Sequence, residues 1–179
     1  MIYIICYDWP STSGNHTGMR YLYEYIQKRN PELYKMYTFN MGRRFLDKGK
    51  KGKKISVLFT ALKLAMTYKS GDKFVLTEYL HRDSYQILFA KIIRFICPKA
   101  PIYAMVHLVP EKLERRYSKA QIKKSSRFVT EIVTLGSSLT CYLNNLGIGN
   151  VYTSFHYVDN NYYTPSANLY NRGGDVKVI

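Results

Sequence analysis

Met1-Ile-Tyr-Ile-Ile-Cys-Tyr7 is an apolar run. It leads into a small-residue loop from Pro10 to Gly18, which opens onto a helix-like stretch beginning at Met19. A buried strand that delivers a glycine-containing loop to a helix N-terminus is how α/β proteins build an anion or ligand site. Loop N–H groups and the positive end of the helix dipole then face the crevice at the strand's carboxyl end. The candidate loop residues are Gly14, Asn15, His16, Thr17 and Gly18. A plain βα turn is the bland alternative for the same segment.

Strand and helix signals alternate along the chain from there. A helix over Met19 to Arg29, stopped by Pro31, precedes a strand over Leu33 to Phe39. Ile55, Leu58, Phe59, Leu62 and Met66 fall on one apolar stripe at helical spacing, which reads first as a helix packed on the sheet by that stripe and, alternatively, as one lying in a membrane interface with Phe59, Leu62 and Met66 exposed. Lys73 to Tyr79, Pro101 to Val106, Thr130 to Leu135 and Val151 to Phe155 read as four further strands. The fourth strand of the chain, Pro101 to Val106, is apolar nearly throughout, as strands covered on both faces tend to be. Between these strands lie a helix capped by Asp83 or Ser84, a lysine-rich helix from Pro110 to about Lys124, and a short helix capped by Ser137 or Ser138 and ended by Gly147. This βαβα rhythm predicts a doubly wound, mostly parallel Rossmann-like sheet of six or so strands with helices on both faces. Ligands of such sheets bind beyond the carboxyl ends of the strands.

At 179 residues with 46% hydrophobic content, one core is expected over residues 1–159. Residues 160–174 are polar and turn-rich and read as a linker, and 175–179 as the first strand of a second domain. A formal charge of +15 is the outlier; it predicts an acidic partner such as a phosphorylated substrate, nucleic acid or anionic lipid. Eighteen tyrosines suit sugar or base stacking and equally lipid headgroups. Cys6, Cys97 and Cys141 lie far apart in apolar elements without metal-ligand spacing, so they read as reduced core residues of a cytosolic protein.

Several ligand classes fail on the residues. The loop Gly14-Asn-His-Thr-Gly18 is not the G-x-G-x-x-G of dinucleotide sites, and the second strand ends at Phe39-Asn40 rather than on an acid. There is no G-K-[ST] element. The hydroxyl-rich Ser11-Thr-Ser-Gly-Asn-His-Thr17 does resemble the phosphate loop of flavodoxins, which leaves a flavin-binding domain as an alternative. Of the four histidines, His81, His107 and His156 fall at or just past strand ends and His16 lies in the first loop. On a parallel sheet all four gather at one edge.

In these segments the chain resembles the N-terminal domain of a GT-B glycosyltransferase of the retaining family 4 type. The resemblance rests on the Met1–Gly18 strand and loop, Ala104-Met-Val-His107, Ile132-Val-Thr-Leu-Gly-Ser137, and Phe155-His-Tyr-Val-Asp159 followed by Tyr163-Thr-Pro165. It departs at Tyr157, where the family has glycine, and in the spacing of Gly14 and Gly18. The resemblance implies that the domain holds the acceptor while a second domain holds the nucleotide-sugar, so the chain alone is inactive. It further implies that the glycine loop approaches the donor phosphates or acceptor across the cleft, that His107 sits beside the transferred sugar, and that no metal or other cofactor is needed; His81, Ser137, His156 and Asp159 are further candidate cleft residues. Products of this class include cell-surface polysaccharides.

From Arg43 to Lys54 run seven basic residues, Arg43, Arg44, Lys48, Lys50, Lys51, Lys53 and Lys54, against Asp47 alone. Such a cluster draws a protein to an anionic membrane at about 1 kcal/mol per residue. A solvated loop is the bland reading of the same run. Together with what the resemblance implies, the expected partners are a nucleotide-sugar donor, a glycan or lipid-phosphate acceptor and an anionic membrane surface, from a cytoplasmic location peripheral at the inner face of the membrane. A basic nucleic-acid or membrane-surface module without chemistry is the alternative from another class; it would lose affinity steeply with salt.

Overall fold

In a computed structural model, the structure describes residues 1–6, 17–39, 49–81 and 84–154, with the side chains of 17–22 and 49–50 outside it. Six parallel strands form one sheet: β1 (Ile2–Cys6), β2 (Tyr34–Thr38), β3 (Lys73–Leu76), β4 (Ile102–Val106), β5 (Glu131–Thr134) and β6 (Val151–Thr153), in the order β2-β1-β3-β4-β5-β6. Between them run α1 (Thr17–Arg29), α2 (Gly49–Thr67), α3 (Gln86–Ile96), the short pair α4 (Pro110–Glu114) and α5 (Lys119–Ser126), and α6 (Ser137–Asn145). This is the expected doubly wound, Rossmann-like α/β architecture.

The strand order decides which face each helix covers. Only the step from β1 to β2 runs one way across the sheet; every other step has the opposite sense or returns over β1. Right-handed crossovers therefore put α1 on one face and all the other helices on the other. The packing agrees. Tyr3 and Ile5 of β1, Phe74 and Leu76, Ile102, Ala104 and Val106, and Ile132 join one large core with Val57 and Leu64 of α2, Phe89 and Ile93 of α3, and Leu143 of α6. On the opposite face Ile4 and Cys6 pack with Tyr23 of α1 in a small cluster that Met105 joins. Helices thus cover both faces, unequally. The even coverage expected of Pro101–Val106 is not found: β4 alternates, with Ile102, Ala104 and Val106 buried and Tyr103 and Met105 half-buried.

The structure departs from the local sequence signals in five places. The lysine-rich helix is two helices, because Ser118 starts a new one. Its hydroxyl accepts from the Gln121 N–H at 3.2 Å while Gln121 accepts from the Ser118 N–H at 2.9 Å, a closed capping box. Ser118→Ala is expected to lower stability by about 1 kcal/mol in urea unfolding. Tyr85 rather than Asp83 or Ser84 is the N-cap of α3, and Gly136 rather than Ser137 or Ser138 that of α6. Basic residues from Lys50 onward are helical, not loop, since α2 starts at Gly49. Cys141 is exposed rather than in the core; Cys6 is buried and Cys97 half-buried. Gly147 does end α6, with φ +77 and its N–H on the Asn144 carbonyl at 2.7 Å.

Candidate functional site

A change in the direction of winding opens a crevice at the carboxyl ends of two neighbouring strands, here β1 and β3, because their onward loops leave to opposite faces. The residues that follow β3 and β4 converge there. His107 is the first residue past β4, and its Nε2 lies 2.7 Å from the Thr77 carbonyl past β3. A carbonyl only accepts, so this contact assigns the ring proton to Nε2 and makes Nδ1 the acceptor in the neutral imidazole. Thr77 is tied in turn to β1, since its hydroxyl and its N–H both donate to the Ile5 carbonyl at 3.2 Å.

Gln86, at the start of α3 and fully buried, clamps the two strand ends together. Its side-chain nitrogen donates to the Ile5 carbonyl at 2.9 Å and its oxygen accepts from the Glu78 N–H at 2.8 Å. Ser84, also fully buried, donates to the Glu78 carbonyl at 2.7 Å and to the His81 carbonyl at 2.8 Å. Tyr79 anchors the segment from below, donating through its hydroxyl to the Ser125 carbonyl at 2.8 Å. Within this stretch Leu80 (φ 60) and Tyr85 (φ 56) hold left-handed conformations without being glycine. Such conformations cost about 1 kcal/mol or more each and persist where surrounding contacts impose them, often at functional sites.

Glu78 is the residue that the sequence reading missed. It is buried, and burial pushes its carboxyl up to about 7. Tyr23 of α1 lies close by: burial, then Cys6 and Glu78, raise its hydroxyl well above the usual range, and that hydroxyl meets the Met105 sulfur at 3.1 Å. An acid just past an apolar stretch is the available signal, but the strand expected over Lys73 to Tyr79 absorbs it. The strand stops at Leu76, which turns Thr77 and Glu78 into crevice residues.

His81 and His107, both half-buried, follow β3 and β4 at the same edge. Thr17 and Gly18 form the first turn of α1, past β1. Gly14, Asn15, His16, His156 and Asp159 lie outside the described residues, as do Arg43, Arg44 and Lys48 and the proposed linker and second-domain strand. Ser137 opens α6 beyond β5 and is exposed. It shares the carboxyl edge, two strands away from β3. Lys51 and Lys54 are exposed on α2, Lys53 is half-buried there, and Lys50 is known only as helical backbone.

No family model and no curated protein matches the chain.

Among the described residues no group of three or more His, Cys, Asp and Glu side chains is placed to hold a metal ion. At the carboxyl edge of the sheet the structure thus sets a hydrogen-bonding imidazole, a buried carboxyl raised to about 7 and the first turn of α1.

Proposed function

We propose that the chain is the acceptor-side half of a retaining glycosyltransferase that moves a sugar from a nucleotide-sugar to a glycan or lipid-linked acceptor. In such a transfer the bond between the sugar's anomeric carbon and the diphosphate oxygen breaks. A bond to the acceptor oxygen forms on the same face, and the acceptor's proton ends on the departing diphosphate. The observation that carries the reading is the His107–Thr77 contact, which holds the imidazole in place at the carboxyl ends of β3 and β4. An imidazole at this strand end is suited to orienting a sugar hydroxyl by hydrogen bonding. Glu78 supplies a second hydroxyl partner whose protonation changes near neutral pH. Backbone N–H groups at the start of α1 are suited to the developing diphosphate charge, without a metal. The net charge of +15 favours phosphate-bearing ligands and a peripheral site at an anionic membrane; among the described residues no helix is long and apolar enough to cross one.

The test is transfer of labelled sugar from a panel of nucleotide-sugars by the full-length gene product, with membrane lipid extract as acceptor source. Labelled product is expected, and its absence across the panel, with no nucleotide-sugar bound, rejects the reading. The strand order favours a second reading, because the run β2-β1-β3-β4-β5 is the flavodoxin-like order, whose flavin sits at this same β1/β3 point. That reading requires purified protein to bind flavin mononucleotide with quenching of its fluorescence.

A further inference from the structure

Helix α2 is inside out. Its large apolar stripe, read from the sequence as the packing face, points to solvent: Ile55, Leu58, Phe59, Leu62 and Met66 are 38%, 42%, 51%, 37% and 81% exposed. The side that meets the sheet is small and partly polar, with Ser56, Val57, Thr60, Ala61 and Leu64 buried. Hydroxyls make that side self-sufficient, because Ser56 donates to the Phe39 carbonyl and Thr60 to the Ser56 carbonyl at 2.9 Å. Small residues let the helix approach the sheet closely and leave the bulky ones nowhere to go but outward. A helix in water normally shows the opposite arrangement.

The exposed surface extends beyond α2. Helix α3 packs alongside, and the Cys97 sulfur lies 3.9 Å from the Ala65 carbonyl, so the two helix ends sit next to each other. Near that end of α3 Phe95 is 88% exposed. Lysines surround the apolar stripe. Lys51 lies on it one turn before Ile55, while Lys54 and Lys63 stand about a quarter-turn to either side. An apolar stripe bordered by lysines suits an interface where the stripe enters the acyl boundary and the ammonium groups reach phosphates.

We infer that the outward face of α2, with Phe95 of α3, docks on an anionic phospholipid surface. It gives the membrane location proposed above a face, and it stands whether or not the crevice transfers sugar. A second copy of the chain is a poorer occupant, since a two-fold contact across this face would set lysines against lysines. The bordering charges and the net charge of +15 complement acidic lipid instead.

Flotation of the chain with phosphatidylcholine vesicles, with and without phosphatidylglycerol, tests this. Binding is expected only with phosphatidylglycerol and should weaken as salt rises. Replacing Lys51, Lys54 and Lys63 together by Gln should lower partitioning on the order of a hundredfold. Leu58→Ser, Leu62→Ser and Met66→Ser combined should lower it about tenfold or more. Both variants should keep the wild-type melting temperature, because the altered side chains are exposed. No binding to either vesicle, or wild-type binding by both variants, overturns the inference. So does concentration-dependent dimerisation that the serine variant abolishes without any lipid binding. Loss of sugar transfer with vesicle binding intact would count against the enzymatic reading alone.

Discussion

His107→Ala is expected to cut sugar transfer by the full-length gene product on the order of a hundredfold or more, chiefly in kcat. The imidazole reaches the crevice already oriented, with Nε2 on the Thr77 carbonyl at 2.7 Å. Removing it takes away a pre-placed hydrogen-bonding group, the kind of loss that costs about 10²–10³ in rate where transition-state charge is involved. Stability should fall by only about 1 kcal/mol, the net worth of one hydrogen bond, so thermal melting separates the two effects. Full activity in a folded His107→Ala protein would remove His107 from the chemistry. Retained kcat with a raised KM would limit it to holding the acceptor.

The second large effect belongs to Glu78. Its carboxyl is raised from 4.5 to about 7 by burial, so the folded protein holds the proton that the unfolded chain has released across that interval. The folded state binds more protons there, and stability must fall as pH rises from about 4.5 to about 7. At 1.36 kcal/mol per unit, the full loss is about 3 kcal/mol. Glu78→Gln removes the charge, so it should flatten this part of the pH profile. Above pH 8 the variant should be more stable than the wild type by about 2–3 kcal/mol. Urea unfolding of both proteins at pH 5 and pH 8 reads the difference directly. Equal slopes with pH would mean that the carboxyl titrates normally and is not buried as described. If Glu78 also contacts the acceptor, the variant should be stabilised and slowed at once, as active-site residues commonly are.

Period and punctuation carried the architecture. The alternation of Ile2–Cys6, Lys73–Leu76 and Ile102–Val106 with amphipathic stretches was enough for a parallel α/β sheet, because each strand's apolar residues have to be covered. The order of the strands was not legible. Nothing local in β2 says that it lies outside β1 while β3 lies inside, and that order alone determines the unequal covering of the two faces. The same limit explains α2. Helical spacing at Ile55, Leu58, Phe59, Leu62 and Met66 reveals a stripe but not its direction, and Ser56, Thr60, Ala61 and Leu64, which the structure buries, carry no signal as strong.

In the candidate site, His81 and His107 were readable as strand-end residues, since a parallel sheet brings such positions to one edge. Glu78 was hidden by an overlong strand, and Gln86 by its helical setting, although its side-chain amide links the Glu78 N–H to the Ile5 carbonyl. Left-handed Leu80 and Tyr85 carry no sequence mark at all, because neither is glycine or asparagine.

Amide hydrogen exchange of the full-length gene product, with and without nucleotide-sugar and its glycan acceptor, tests most directly whether ligands occupy the β1/β3 crevice. Protection should concentrate in the backbone from Thr77 to Ser84 and around His107 on acceptor binding. Protection confined to the strand starts near Lys73 and Pro101, with those carboxyl-end segments unchanged, would contradict the account.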